Sequence, residues 1–342
     1  MTGATTGLMT NVMGSDEPRR WVRRPEGSNW GDFGVDDRLG RLNLITPERR
    51  RAALAEAREG LVFCLSLPLD VGPGMNPSRF PPQLAPAIRD GRPRYNACAC
   101  VIHPGLTDVV CDDKVELWTQ FSTQWDSLVH HGSLFDADGD GVDEIRYYNG
   151  FGAVESVGAS PLGIEHMAET CVQGRGVLVD LWRHFGGGHA LIGYDQLMQV
   201  LDADGVVVEA GDLLCLRTAF ADQLLLPERP SLEVLNRFGA KLDGRDQRLM
   251  QWVTDSGIAA LIADNVAVEA RAGVPEAGFV GSSMPLHDHC LFKLGLNLGE
   301  LFLLSPLADW LRLNRRHRFL LTAPPLRLPG AVGSPVTPVA TV

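Results

Sequence analysis

The chain gathers its acid/base chemistry into one stretch, DDKVELWTQFSTQWDSLVHHGSLF (112–135), which sets Gln120, Gln124, Asp126, His130 and His131 among hydroxyl and aromatic side chains. Asp126 and His130, four positions apart, project the same way whether the segment is helical or extended. A carboxylate so placed binds a metal or orients the imidazole, fixing its tautomer and raising its basicity. Read without other context, His130-His131 is equally a hydrogen-bonded structural pair. Trp118, Phe121 and Trp125 are core aromatics by default, with a pocket lining as the alternative. Farther on, His287 and His289 precede Glu300. Taken alone, Glu300 reads as a carboxylate favoured at a helix start.

A second constellation is DADGDGVDE (136–144), in which Asp136, Asp138, Asp140 and Glu144 surround two glycines. Alternating carboxylates about a glycine turn suit the oxygen shell of a structural calcium ion. A complete EF-hand is excluded, because the position that needs a bidentate glutamate is Tyr147. The competing reading is an Asp-Gly hairpin turn. GGGH (186–189) lacks the spacing of a phosphate loop and no GxSxG elbow occurs, so no nucleotide cofactor and no serine triad is expected.

The central stretch does not stand by itself. Together with GRLNLITPE (40–48), RGVLVDL (175–181), GDLLCLRT (211–218), ADNVAVE (263–269) and HDHCLFKLGLNLGEL (287–301), it resembles the kynurenine formamidase-like putative cyclase family over roughly residues 40–320. Better-known members carry HxGTHxDxPxH, whose histidines and aspartate bind divalent metal and whose last histidine transfers protons. On this chain the motif falls on Gln120, Ser122, Thr123, Gln124, Asp126 and His130, and it resembles a subgroup with QWDxxxH. Two ligand histidines are therefore glutamine, whose neutral amide is a poorer zinc ligand than imidazole.

The resemblance implies an α/β fold, a single swivelling β/β/α domain, and a homodimer or homotetramer. It implies an enzyme hydrolysing a C–N bond (amide, formamide or imide) or a lactone in a small cyclic or aromatic substrate. Asp126, His130 and Glu300 are then the catalytic candidates, and Gln120, Thr123, Gln124 and Trp125 the substrate-binding ones. Asp126, His287, His289 and Glu300 would hold Zn or Mn, with the choice between the two histidines open. Two rivals stand beside this. One is a metal-independent cyclase, dehydratase or ring-opening enzyme using Asp126 and His130 as acid and base. The other is a non-catalytic, calcium-stabilised binding protein.

The elements that must position these groups are partly visible. Thr46-Pro47 opens a helix expected to run to Gly60, with Thr46 as cap and proline in the first turn. Segments 61–70, 175–182, 206–210, 213–220 and 258–264 read as strands, and 193–202, 231–239 and 245–254 as helices. A last helix is expected over 299–314, followed by a strand in RHRFLLTAPPLRL (316–328). The order is mixed α/β without the regular alternation of a doubly wound sheet. Residues 71–110 are rich in Pro, Gly and Asn and read as a long substrate-covering loop. An irregular N-terminal arm (1–28), a cyclase-like domain (29–322) and a Pro-rich tail (323–342) complete the division.

Composition bounds the rest. With 45% hydrophobic and 21% charged residues, the 342-residue chain can bury a real core. A net charge of -11, without a dense basic run, opposes nucleic-acid binding. No apolar stretch approaches the roughly 20 residues of a membrane helix, and no secretory signal opens the chain. Seven cysteines, an odd number, argue against a disulfide framework, and Cys64, Cys171 and Cys215 read as reduced core residues. The expectation is a cytoplasmic protein acting on a small molecule.

Overall fold

A computed structural model describes residues 19–271 and 278–342. The apolar runs become a nine-stranded sheet. Its strands are β1 (Val62–Cys64), β2 (Gln124–Asp126), β3 (Gln173–Asp180), β4 (Leu213–Arg217), β5 (Ala260–Ala263), β6 (Asn297–Glu300), β7 (Arg318–Thr322), β8 (Gly333–Pro335) and β9 (Val339–Thr341). The spatial order is β1-β9-β7-β3-β4-β5-β6-β2-β8. Strands β3 to β6 are mutually parallel, and both flanks attach antiparallel. The parallel centre is covered on both faces, so its strands read as continuous apolar runs. Along β3, Val177 and Val179 enter one core cluster and Leu178 the other; Leu214 and Leu216 of β4 likewise oppose Leu213 and Cys215.

The helices α1 (Pro47–Leu54), α2 (Tyr194–Asp204), α3 (Gln247–Ser256) and α4 (Ser305–Leu313) lie close to the expected positions. Thr46 caps α1 by accepting from Arg49 N, as its sequence predicts, but the helix ends at Leu54, six residues before Gly60. Segment 206–210 is not a strand: Gly205 ends α2 in the left-handed region and only Val206 of the valine run is buried. Glu300 closes strand β6, not a helix start, and α4 begins at Ser305. At one point glycine is obligatory: Gly40 has φ +58°, and a Cβ there would lie 2.0 Å from Gly295 O.

Three further segments differ from expectation. The Pro-rich tail, divided from the cyclase-like domain in the sequence reading, belongs to its sheet: it supplies β8 and β9, and Val342 is buried. Residues 83–116 form a stacked hairpin arm, pairing Gln83–Pro86 with Asp113–Glu116 and Ala97–Cys98 with Val109–Val110. Only the start of the expected covering loop, around 73–79, reaches the cleft described below. Within the arm Cys98 and Cys100 are joined by a disulfide, and Cys64 and Cys171 are exposed; of the three cysteines read as core, Cys215 alone is buried. Of the N-terminal arm, residues 1–18 lie outside the described residues. The following residues dock on the Asp-rich loop, where Val22 N and Arg23 N donate to Ala137 O. No described helix is long and apolar enough to cross a membrane.

Candidate active site

Pairing of β2 with β6 builds the site. Glu300 stands opposite Gln124, and Gly299 opposite Trp125. Alternation along an extended strand then sends Gln124 and Asp126 to one face and Trp125 to the other. The tail's β8 supports the far edge, with Gly333 opposite Asp126. Asn297 Nδ2 donates to Asp126 O at 2.9 Å, tying the end of β2 to the start of β6.

Donor atoms of Asp126, His130 and His287 lie within 4.8 Å of one another. Glu300 joins them, its Oε1 3.6 Å from His287 Nε2. Gln120 bridges the first pair: its Nε2 donates to Asp126 Oδ1 and, at 3.0 Å, to His130 Nδ1. Arg79 fixes that amide by donating to Gln120 O at 2.8 Å and to its Oε1 at 3.4 Å. Because an amide nitrogen only donates, His130 Nδ1 accepts, and the neutral ring carries its proton on Nε2. That nitrogen is 3.9 Å from Asp126 Oδ1, beyond hydrogen-bond reach and so uncommitted.

His287 is the better-held imidazole. Its Nδ1 bonds Glu269 Oε1 at 2.8 Å, which turns Nε2 into the cluster. Glu269 also accepts from His287 N at 2.9 Å and Leu286 N at 3.0 Å, so three donors saturate one buried carboxylate. Gly244 permits this approach, since a Cβ there would stand 2.3 Å from Glu269 Oε2. A π-helical turn, Asp288–Lys293, follows at once. It directs His289 elsewhere: His289 Nε2 bonds Thr254 Oγ1 at 2.9 Å on α3. Of the two candidate histidines, His287 faces the site and His289 does not.

The charges are concentrated. Burial works against ionising His287, but Glu269 and Glu300 outweigh it and hold its pKa at about 10. Burial raises the Asp126 carboxyl above the usual range, only partly offset by His130. His131, packed beside His287, is pushed down to about 4 by burial and by the two neighbouring imidazoles, so it stays neutral.

Two expected substrate-binding residues are structural. Trp125 is fully buried on the opposite face, donating to Ala323 O and packing edge-on against Phe302. Thr123 spends its hydroxyl on Leu301 O at 2.6 Å and Leu67 N at 2.9 Å. Gln120 and Gln124 do line the cleft, though Gln120 is committed to positioning Asp126 and His130. In the Asp-rich loop, donor atoms of Asp136, Asp138 and Asp140 come together. They also accept the loop's own amides, Arg23 pairs with Asp136, and Glu144 pairs with Arg146 of its own short strand instead of joining them. Sequence reasoning passed over Glu269 and Arg79. The signal for the first was present, as the last residue of ADNVAVE.

The cluster's own atoms test its fit to a divalent metal. Among the described residues Asp126 Oδ2 is buried without a hydrogen-bond partner, which costs about 1–3 kcal/mol unless a cation faces it. The Gln124 amide is satisfied when its nitrogen donates to Gln120 O (2.8 Å) and Ser122 O (3.2 Å). In the other orientation the nitrogen donates to Glu300 Oε2 at 3.4 Å; in the better-satisfied one the carbonyl takes that place, and two acceptors face each other. A cation between them removes that repulsion. The mixed imidazole, carboxylate and amide donors suit Zn or Mn, and the residues fit the metal.

The structure resembles three solved ones. A crystal structure of a novel cyclase has 32% identity over 92% of this chain and 97% of that chain, with a TM-score of 0.74. Isatin hydrolase A from Ralstonia solanacearum has 16% identity over 86% and 97%, with a TM-score of 0.54. Isatin hydrolase A from Labrenzia aggregata, bound to benzyl benzoate, has 13% over 82% and 93%, with a TM-score of 0.53. The last two share the fold. No curated protein matches the chain. The family model described as Putative cyclase matches residues 65–270, and with the 32%-identical structure spanning nearly all of both chains, this chain belongs to the cyclase family.

Proposed function

We propose that the protein is a metal-assisted hydrolase of a C–N bond (amide, formamide or imide) or a lactone in a small cyclic or aromatic substrate. The observation that carries this reading is the partnerless, buried Asp126 Oδ2 among His287, His130 and Glu300. Asp126, His287 and Glu300 would hold the metal, with the Gln124 carbonyl beside them. Such a cation supplies Lewis acidity toward a carbonyl and lowers the pKa of water. Glu269 orients His287. Gln120 orients His130, which would take a proton from the attacking water and, as imidazolium, pass it to the departing nitrogen or oxygen. His130 is a quarter exposed, which lets it exchange that proton with solvent.

We further propose a cytoplasmic homo-oligomer. The hairpin arm supports assembly: it exposes Leu84, Ile88, Val101, Ile102, Val109 and Val115. The function is tested by screening N-formyl aryl amines, lactones and cyclic imides, with elemental analysis of protein purified without chelator. Turnover that disappears on chelation and returns with Mn or Zn is expected. Full activity of metal-free protein would overturn metal assistance.

A further inference from the structure

The floor of the site is acidic, but the cleft above it is walled by cations. A small cavity between Gln120, Gln124 and Glu300 shares Met75, Val266 and Arg271 with a larger one of about 220 Å³. Lys241 stands in the larger cavity and Arg79 in the smaller, so Arg271 lies between them on a continuous cleft. None of the three cations forms an ion pair among the described residues. Among the described residues Lys241 donates only to Asn236 O, and Arg79 only to the two carbonyl oxygens of Gln120. Glu269 is, among the described residues, the one carboxylate lining the larger cavity, and it is engaged by His287 Nδ1 and the backbone amides of Leu286 and His287.

An unpaired cation half-withdrawn from water is costly. Burial and the neighbouring Arg271 charge both lower the Lys241 pKa, so the two are close enough to repel. Lys241 sits between Ala240 and Leu242, both buried, in a short strand paired with Ala190–Ile192, so its backbone is fixed. A bound anion would relieve the repulsion and the desolvation together.

Resting on the hydrolase reading, we propose that Lys241 and Arg271 form an anion subsite, which takes an acidic substituent, carboxylate or phosphate, at the end of the substrate remote from the bond cleaved. Arg79 adds positive charge nearer the floor. The substrate class narrows to acidic derivatives of small cyclic or aromatic amides and lactones.

Calorimetric titration of the metal-loaded protein with anthranilate, phenyl phosphate and neutral 2-aminobenzamide tests this, repeated on Lys241→Met and Arg271→Met. At least one anion is expected to bind about tenfold or more tighter than the neutral amide, the scale of one charge-assisted contact. Each substitution should remove most of that preference, and chelation should leave the ratio of wild type to variant intact. The anion that binds tighter identifies the substituent. Equal binding of anions and amide, or an anion preference that survives both substitutions in folded protein, overturns the subsite. Turnover of 4-formamidobenzoate, whose carboxylate lies across the ring from the formamide, and of formanilide separates the two claims. Hydrolysis of both at equal rates, unaffected by the substitutions, sinks the subsite and keeps the hydrolase. Anion binding through Lys241 and Arg271 with no turnover does the reverse.

Discussion

Replacing Glu269 by glutamine tests how the site is held together. In the native structure three N–H groups converge on this carboxylate: His287 Nδ1 at 2.8 Å, His287 N at 2.9 Å and Leu286 N at 3.0 Å. A carboxylate only accepts, so it serves all three. Glutamine has one accepting oxygen, and its amino group must face at least one of those donors. The stability cost is about 1–3 kcal/mol, that of one buried donor left unpaired. A second effect is separate. Losing the carboxylate frees the imidazole's orientation and lowers its basicity, which typically costs about 10- to 100-fold in metal affinity. Chemical unfolding measures the first effect, and competitive titration of Zn or Mn the second. Gly244→Ala is an independent perturbation, because its Cβ would press on Glu269 Oε2 from 2.3 Å. Both variants should weaken metal binding. Glu269→Gln losing the expected stability while binding metal within twofold of wild type would refute the reasoning, leaving Glu269 as an anchor for the backbone at 286–287.

Four other outcomes are expected. Asp126→Asn and His130→Ala should each lower turnover of a true substrate by about a hundredfold, the scale of a positioned proton-transfer group, with the double variant little worse because Gln120 makes one unit of them; steady-state kinetics decide. His289→Gln should keep metal stoichiometry and rate within about twofold, since that ring faces Thr254; elemental analysis showing lost metal would reverse the assignment. Glu209 is held at about 2 by hydrogen bonds from Arg49 and Arg175, so its stabilisation is full above its unfolded pKa near 4.5 and is lost as pH falls through about 2. At 37% side-chain exposure this is worth about 1 kcal/mol after screening, and the gap in urea midpoint between wild type and Glu209→Gln should shrink from pH 6 toward pH 2.5. Light scattering should give a dimer or tetramer that dissociates when residues 87–111 are replaced by a two-residue turn, and a monomeric wild type would dismiss the arm as an interface.

What the sequence made legible was local. Asp126 and His130 lie in one short stretch, and their likeness to a family motif marked them before any fold was known. The apolar runs that became β3, β4 and β5 were readable because a sheet covered on both faces needs no alternation. The tail was set apart from the domain on its proline content, yet Pro335 sits in β8, the edge strand of the sheet, where a missing N–H costs nothing. The valines of 206–210 misled in the opposite sense: they have strand propensity, but no neighbouring strand offers them a ladder.

The site itself was half legible for a related reason. Trp125 was expected to bind substrate; once the segment is extended, the strand period sends it away from Gln124 and Asp126, but its packing on Phe302 depends on the fold. Glu300 could not be placed that way, because its position depends on β6 pairing with β2 across 176 residues. Glu269 depended on its bonds to Leu286 and His287, 17 and 18 residues on, which no local pattern announces. The two glutamines show the same dependence. As isolated substitutions they look like the loss of two ligands. In the structure Gln120 holds both Asp126 and His130, and Gln124 is best satisfied with its carbonyl toward Glu300. The pairing of β2 with β6 thus turns an apparent loss of imidazoles into a site richer in oxygen, whose metal preference should shift from zinc toward manganese.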